Sequence, residues 1–227
     1  MRIDRRYVEA SVLSDLEASI REWAVVMQEV LPQRYEEPAD DLFTDWVGAG
    51  MDPMVMVQET GLVIAGGAET TRTVIAHGLR AFVDHPDQWE YLAEDPERVT
   101  LAVEELIRWV TPLNNMFRIV TTPTELAGTA MAPGDRVTLV YPAANRDPRV
   151  FTDPDTFDVT RDPNPHLAFG HGTHFCLGAN LARIELRLLF QELTRRVTNL
   201  RVVSEPDVEP NIFARAVRRF DLAFDLR

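Results

Sequence analysis

Phe169-Gly170-His171-Gly172-Thr173-His174-Phe175-Cys176-Leu177-Gly178 carries the only cysteine among 227 residues. Apolar residues follow at once: Leu177, Leu181, Ile184 and Leu188 are spaced 4, 3 and 4 apart, the period of one α-helical face. This spacing predicts a lone thiol at the end of a glycine-bracketed loop, where a helix begins. Unpaired amides and the positive end of the helix dipole favour a thiolate there. Glycines on either side let a flat ligand approach the backbone closely. Such an arrangement suits a sulfur that binds iron.

Two other readings of the same residues stand beside that one. A single cysteine in a globular chain is commonly a small buried hydrophobe. His171, His174 and Cys176 also lie close enough in sequence to suggest zinc, with His166 as the nearest candidate for a fourth ligand.

Composition narrows the setting. The chain has 45% hydrophobic and 26% charged residues, an ordinary globular balance. Its formal net charge of −13 argues against a nucleic-acid partner. Met1-Arg2-Ile3-Asp4-Arg5-Arg6 leads into polar, acidic sequence and not into the apolar run of a secretory signal. The longest apolar candidate, residues 62–68, is far short of the ~20 residues a membrane span requires. One cysteine leaves no internal disulfide framework, which fits a reducing cytoplasm. The expectation is a cytoplasmic protein that engages neither membrane nor nucleic acid.

Residues 1–13 show no clear period. Ser14 and Glu17 read as a capping box opening a helix along Leu16, Ile20, Trp23, Met27 and Leu31 to Pro32. A short helix is expected over about residues 42–47. Asp52-Pro53 reads as a helix start, and nothing stronger than glycine interrupts the sequence until Pro86, so a central helix is expected over about residues 53–85. Asp95-Pro96 opens a second, over about residues 96–110. Pro133-Gly134-Asp135 marks a turn before a strand at residues 137–141. Residues 142–168 hold five prolines and little period, a length of loop that is normally functional or disordered. A helix is expected after Cys176, running to about residue 197, and Phe220, Leu222, Phe224 and Leu226 alternate as a strand. The architecture expected is mainly α with small β-sheets.

Two further segments bear on the cysteine loop, whose pattern F-x-x-G-x-H-x-C-x-G fixes five residue types in ten positions. Ala65-Gly66-Gly67-Ala68-Glu69-Thr70-Thr71 falls inside the central helix, where each glycine costs ~1 kcal/mol relative to alanine. That cost suggests a local kink or the close approach of a ligand. Glu105-Leu106-Ile107-Arg108 is an E-x-x-R motif, by itself only an ordinary i,i+3 helix pair. Together, in this order and with the proline-rich meander before the cysteine, the three resemble the cytochrome P450 family of haem-thiolate monooxygenases.

That resemblance implies a cytochrome P450-like fold whose N-terminal part is missing, the chain matching roughly the C-terminal half. It implies haem b with Cys176 as the axial iron ligand, a thiolate whose donation favours O–O cleavage. His174 and Arg118 would contact haem propionates, Phe169 would shield the sulfur, and Gly170 and Gly66 would leave room for the macrocycle and for dioxygen. Glu69 and Thr70 would deliver protons. Glu105, Arg108 and Arg161 would form a structural triad pinning the meander, since a buried charge must be paired. Substrate would meet residues 113–116 and the loop at Phe213 and Ala214, which are apolar or neutral, so a hydrophobic organic substrate is implied. O2 is the co-substrate, and electrons come from an external, ferredoxin-type donor. A catalytically silent haem-binding remnant, or a non-haem metal protein built on His171, His174 and Cys176, are the alternatives.

Overall fold

Most helix starts in the chain fall at an aspartate or a proline, where a side chain or a ring geometry satisfies the open end of the hydrogen-bond ladder. A computed structural model describes residues 10–227, which divide into two compact units, one ending at residue 66 and the other beginning at residue 67. In the first unit, α1 (Ala10–Glu36) carries Pro32 inside it. Next, α2 (Leu42–Gly48) starts at Asp41, whose Oδ1 accepts the Thr44 N–H at 2.9 Å. Behind Asp52, which accepts the Met54 N–H at 2.8 Å, begins α3 (Pro53–Asp84). Met27 and Leu31 of α1 and Met56 of α3 are buried together, with Trp23, Phe43 and Trp46 packed on them.

Two expectations for α1 are corrected. Ser14 and Glu17 lie within the helix and not at its start. A Ser-x-x-Glu spacing is equally an i,i+3 pair on a helix face, and it caps only where backbone N–H groups are free. Pro32 does not end the helix either. It removes one donor, but the ladder continues behind it to the Glu37 N–H, which reaches the Gln33 carbonyl at 2.7 Å. Of the expected stripe, Ile20 is exposed and the side chain of Leu16 lies outside the described residues. So do residues 1–9 of the aperiodic N-terminal stretch.

The second unit holds the larger core. Here α4 (Pro86–Glu94) starts with proline at its first turn. Asp95 accepts the Glu97 N–H at 3.0 Å and opens a 3₁₀ turn, Pro96–Arg98, that runs into α5 (Val99–Val110). Four strands follow in two hairpin-like pairs, β1 (Asn115–Ile119), β2 (Thr124–Leu126), β3 (Thr129–Met131) and β4 (Arg136–Val140). Then come α6 (Tyr141–Ala144), α7 (Ala179–Arg196), β5 (Val197–Val208) and β6 (Val217–Leu226). The antiparallel pairs are β1 with β4, β2 with β3 and β5 with β6. The mainly helical architecture with small sheets is the one expected.

Aromatic side chains knit this core. Phe82 of α3 meets Trp89 of α4 edge-on at 5.0 Å and Phe157 of the meander at 5.4 Å, geometries in which ring edges meet π faces. Phe190 of α7 joins them at 5.8 Å. Gly78 lets α3 approach α5, because a Cβ there would stand 2.8 Å from Leu106 Cδ2. Residues 145–171 contain no helix or strand. Among the described residues, no helix is long and apolar enough to cross a membrane.

Candidate functional site

Glu105 and Arg108 of α5 have side chains with no exposed area. Arg108 donates from Nε to Glu105 Oε2 and from Nη2 to Glu105 Oε1, each at 2.7 Å. Its remaining donors reach the meander carbonyls of Asn145 and Pro154 at 2.8 Å and Thr156 at 3.1 Å. Glu105 in turn accepts from the Asp158 N–H at 3.0 Å, Asn164 Nδ2 at 3.0 Å and Arg161 Nε at 3.2 Å. Every charge in this cluster is compensated several times over, as burial demands. Asn145, itself fully buried, accepts the Leu167 N–H at 2.7 Å and donates to Thr111 at 2.8 Å. The meander is thus fastened at residues 145, 154, 156, 158, 161 and 164 before the chain enters the cysteine loop.

Cys176 is a free thiol on an exposed loop. Its N–H donates to the Phe169 carbonyl at 2.9 Å, closing the loop on itself. Gly170 and Gly172 turn the chain with φ of 72° and 69°, a left-handed region that favours glycine. At Gly170 a Cβ would also lie 3.3 Å from the His174 carbonyl oxygen. His174 ends a 3₁₀ turn, Gly172–His174, with its side chain exposed. Phe169 is half-buried, its ring 6.3 Å from that of Phe175. Phe169, Gly170, His174 and Cys176 are therefore gathered in one turn of backbone.

The helix begins at Ala179 with Gly178 as N-cap, so Cys176 ends the loop just before the first turn, as expected. One detail differs: the stripe Leu177, Leu181, Ile184 and Leu188 is exposed, while Ala179, Leu186, Phe190 and Thr194 face the core. Both sets have helical spacing. Contact with Phe82 and Trp89 selects the second, because only that face meets the aromatic cluster.

The remaining expected site residues lie on α3 and β1. Glu69 is half-buried, held by Arg72 at 2.7 Å and by the Thr73 hydroxyl at 3.3 Å. Thr70, the next residue, is also half-buried. α3 runs as helix from Pro53 to Asp84 with Gly66-Gly67 inside it. A Cβ at either glycine would meet nothing within 4 Å. Arg118 is exposed on β1 and donates to the Phe117 carbonyl at 2.9 Å. The two segments expected to face substrate do meet: Leu113 bridges Ala214, and the Asn114 N–H donates to the Phe213 carbonyl at 2.8 Å.

Zinc finds no support in this arrangement. His166 is engaged by Glu104 at 3.1 Å. Among the described residues, no group of three His, Cys, Asp or Glu side chains is placed to hold a metal ion.

Sequence reasoning missed Asn145, Asn164, Glu104 and Arg183. Their partners lie 22 to 79 residues away in the chain, and no local period encodes such pairs. The one local signal was the doubled acid Glu104-Glu105, only half of which E-x-x-R uses.

A mainly helical chain that pins a long meander onto a buried Glu–Arg pair, and then offers one exposed thiol on a glycine-turned loop, has the build of a thiolate-ligating haem protein. The chain belongs to the cytochrome P450 family, whose description it matches over residues 39–217. It is 43% identical over 182 residues to the steroid C26-monooxygenase of Mycobacterium tuberculosis (strain CDC 1551 / Oshkosh), an alignment covering 78% of this chain and 49% of that protein. It is 48% identical over 147 residues to the methyl-branched lipid omega-hydroxylase of Mycobacterium bovis, covering 64% of this chain and 34% of that one. The fold matches the crystal structure of P450BioI in complex with hexadec-9Z-enoic acid ligated acyl carrier protein, with a TM-score of 0.89 and 30% identity over 96% of this chain and 58% of that chain. The chain thus spans about half the length of the steroid C26-monooxygenase it matches.

Haem b, bound through a cysteine thiolate, is the cofactor of this family. The residues present fit it. A free sulfur stands exposed, and residues 171–178 around it are all open to a ligand. Glycine at 170 leaves unfilled the space a Cβ would take against the His174 carbonyl.

Proposed function

We propose that this chain is the part of a haem-dependent monooxygenase that carries the central helix, the E-x-x-R helix, the meander and the thiolate loop, and that it inserts one oxygen atom of O2 into a hydrophobic organic substrate. The observation that carries this reading is the single thiol, free and exposed on the Gly170–Gly172 turn, with the buried Glu105–Arg108 pair holding the meander that leads to it. When bound, thiolate-ligated haem supplies the activation of dioxygen, the sulfur's electron donation favouring O–O cleavage.

The chain's own residues take the following roles. Cys176 would hold the haem iron through its sulfur, and Phe169 would keep water from that sulfur. His174 and Arg118 would donate hydrogen bonds to the propionates. Gly170 and Gly66 give a flat macrocycle and a small diatomic room beside the backbone. Glu69 exchanges protons with solvent, and Thr70 passes them inward. Glu69 already sits between Arg72 and Thr73, at the edge of solvent and core. Residues 113–116, of which Leu113 bridges Ala214, present an uncharged wall to substrate. The steroid and methyl-branched lipid named for two relatives support an apolar substrate class. Electrons come from an external donor, which we place in the ferredoxin class.

Carbon monoxide difference spectroscopy of the reduced, haem-loaded chain tests the reading. Wild type is expected to give a thiolate-type Soret band, and Cys176→Ala to lose it. A histidine-type band in wild type, or an unchanged band in Cys176→Ala, overturns the assignment.

A further inference from the structure

The acid beside the E-x-x-R glutamate has a separate task. Glu104 is gripped by both prongs of Arg183 on α7, Nε to Oε1 at 2.7 Å and Nη2 to Oε2 at 2.9 Å. Such two-point guanidinium–carboxylate contacts fix orientation as well as distance. Glu104 Oε2 also meets His166 Nε2 at 3.1 Å, and the His166 side chain is only 3% exposed. Burial by itself raises the Glu104 pKa, but the hydrogen bonds from His166 and Arg183 and their charges outweigh it and lower it to about 2.

What these residues hold is Phe169. The Arg183 guanidinium lies 4.6 Å from the centroid of the Phe169 ring, within cation–π range. The His166 ring stands 5.7 Å from the same ring. The Phe169 carbonyl is the acceptor for the Cys176 N–H. A continuous set of contacts therefore runs from α5 through α7 to the backbone of the cysteine, while residues 171–178 are otherwise exposed.

We propose that Glu104, Arg183 and His166 form a clamp on Phe169 that fixes the backbone at Cys176 and so positions its sulfur. All three are positioning residues. The consequence for iron rests on Cys176 being the haem ligand, whereas every contact of the clamp is between residues of the chain. Of the two residues that touch both Glu104 and the Phe169 ring, Arg183 is the central member, since it grips Glu104 at two points. Lysine at 183 keeps a charge but has neither the planar fork nor the stacking face.

Amide hydrogen exchange on the haem-free chain tests the clamp. In Arg183→Leu the Cys176 amide is expected to exchange at least tenfold faster, with the amides of α4 and α5 unchanged. Arg183→Lys and Glu104→Gln should give smaller increases at the same amide. On loading with haem, Arg183→Leu should show a reduced proportion of thiolate-type carbon monoxide band at equal haem content. Unchanged exchange at Cys176 in folded Arg183→Leu overturns the proposal. So does an equal loss of protection throughout α5 and α7, which marks general destabilisation. Should Cys176→Ala keep a thiolate-type band, the ligand assignment fails while the exchange result still decides the clamp.

Discussion

Arg108 and Glu105 stand one helical turn apart on α5, both without exposed area, and share two hydrogen bonds of 2.7 Å. Beyond that pair, Arg108 donates to carbonyls of Asn145, Pro154 and Thr156. Replacing it by alanine takes the nearest counter-charge from a buried carboxylate and a donor from three meander carbonyls at once. Removing one partner of such a pair costs ~3–5 kcal/mol, a large share of the stability of a domain. Arg108→Ala is expected to give insoluble or haem-free protein, and Arg108→Lys to fold poorly because one amine cannot replace five planar donors. Soluble expression and urea unfolding measure this. A stable Arg108→Ala chain would contradict the burial argument.

Glu104 gives a pH signature. Its folded pKa is lowered to about 2 from a reference value of 4.5. A carboxylate with a lowered folded pKa adds stability that is complete above its unfolded pKa and is lost as pH falls toward the folded one. The stability difference between wild type and Glu104→Gln should be constant above about pH 5.5 and shrink between 4.5 and about 2. The group is partly open to solvent, so the plateau is on the order of 1–2 kcal/mol after screening. Urea titrations of both proteins across this range read it directly. A difference that grows on acidification has the wrong sign for this pairing.

Which features were readable from sequence follows from the range of the interactions behind them. The starts at Asp52 and Asp95 are encoded within four residues, and each aspartate accepts a hydrogen bond from a backbone N–H. The Pro133-Gly134-Asp135 turn is equally local, with Gly134 at a φ of 96°. The α7 stripe misled because leucines occupy both faces of that helix, and only contacts with Phe82 and Trp89, about a hundred residues earlier, select the buried one. α4 and β5 were not read from sequence. Of the site, the loop residues Phe169, Gly170, His174 and Cys176 were legible as a motif, whereas Glu104, Arg183, Asn145 and Asn164 act through distant partners that leave no periodic trace.

Gly170 and Gly172 separate two effects in the cysteine loop. Both have left-handed φ, 72° and 69°, a conformation that costs an L-residue ~1–2 kcal/mol. At Gly172 an added Cβ meets nothing, but at Gly170 it stands 3.3 Å from the His174 carbonyl oxygen. Gly172→Ala should therefore show only the conformational cost, whereas Gly170→Ala should also push His174 and weaken the bond between the Cys176 N–H and the Phe169 carbonyl. Hydrogen exchange at the Cys176 amide is the measurement, with a clearly larger increase expected for Gly170→Ala. Equal effects would mean that the contact with the His174 carbonyl is immaterial.

The central glycines test whether α3 sacrifices stability for space. Gly66 and Gly67 lie inside this helix, and a Cβ at either would meet nothing within 4 Å. Neither has a left-handed φ, so alanine fits the backbone without strain. Alanine at an interior helical position is favoured over glycine by ~1 kcal/mol, partly through a less disordered unfolded chain. Gly66→Ala and Gly67→Ala should each stabilise the haem-free chain by roughly 0.5–1 kcal/mol in urea unfolding. Gly78→Ala supplies the control, since its Cβ would stand 2.8 Å from the buried Leu106 side chain and overpacking there costs ~1–3 kcal/mol. On the proposed function, Gly66→Ala should also narrow the room left for dioxygen, so the more stable protein should be the poorer enzyme. Destabilisation by Gly66→Ala in the haem-free chain would show that the glycine serves the fold itself and would remove the argument that it is kept for a ligand.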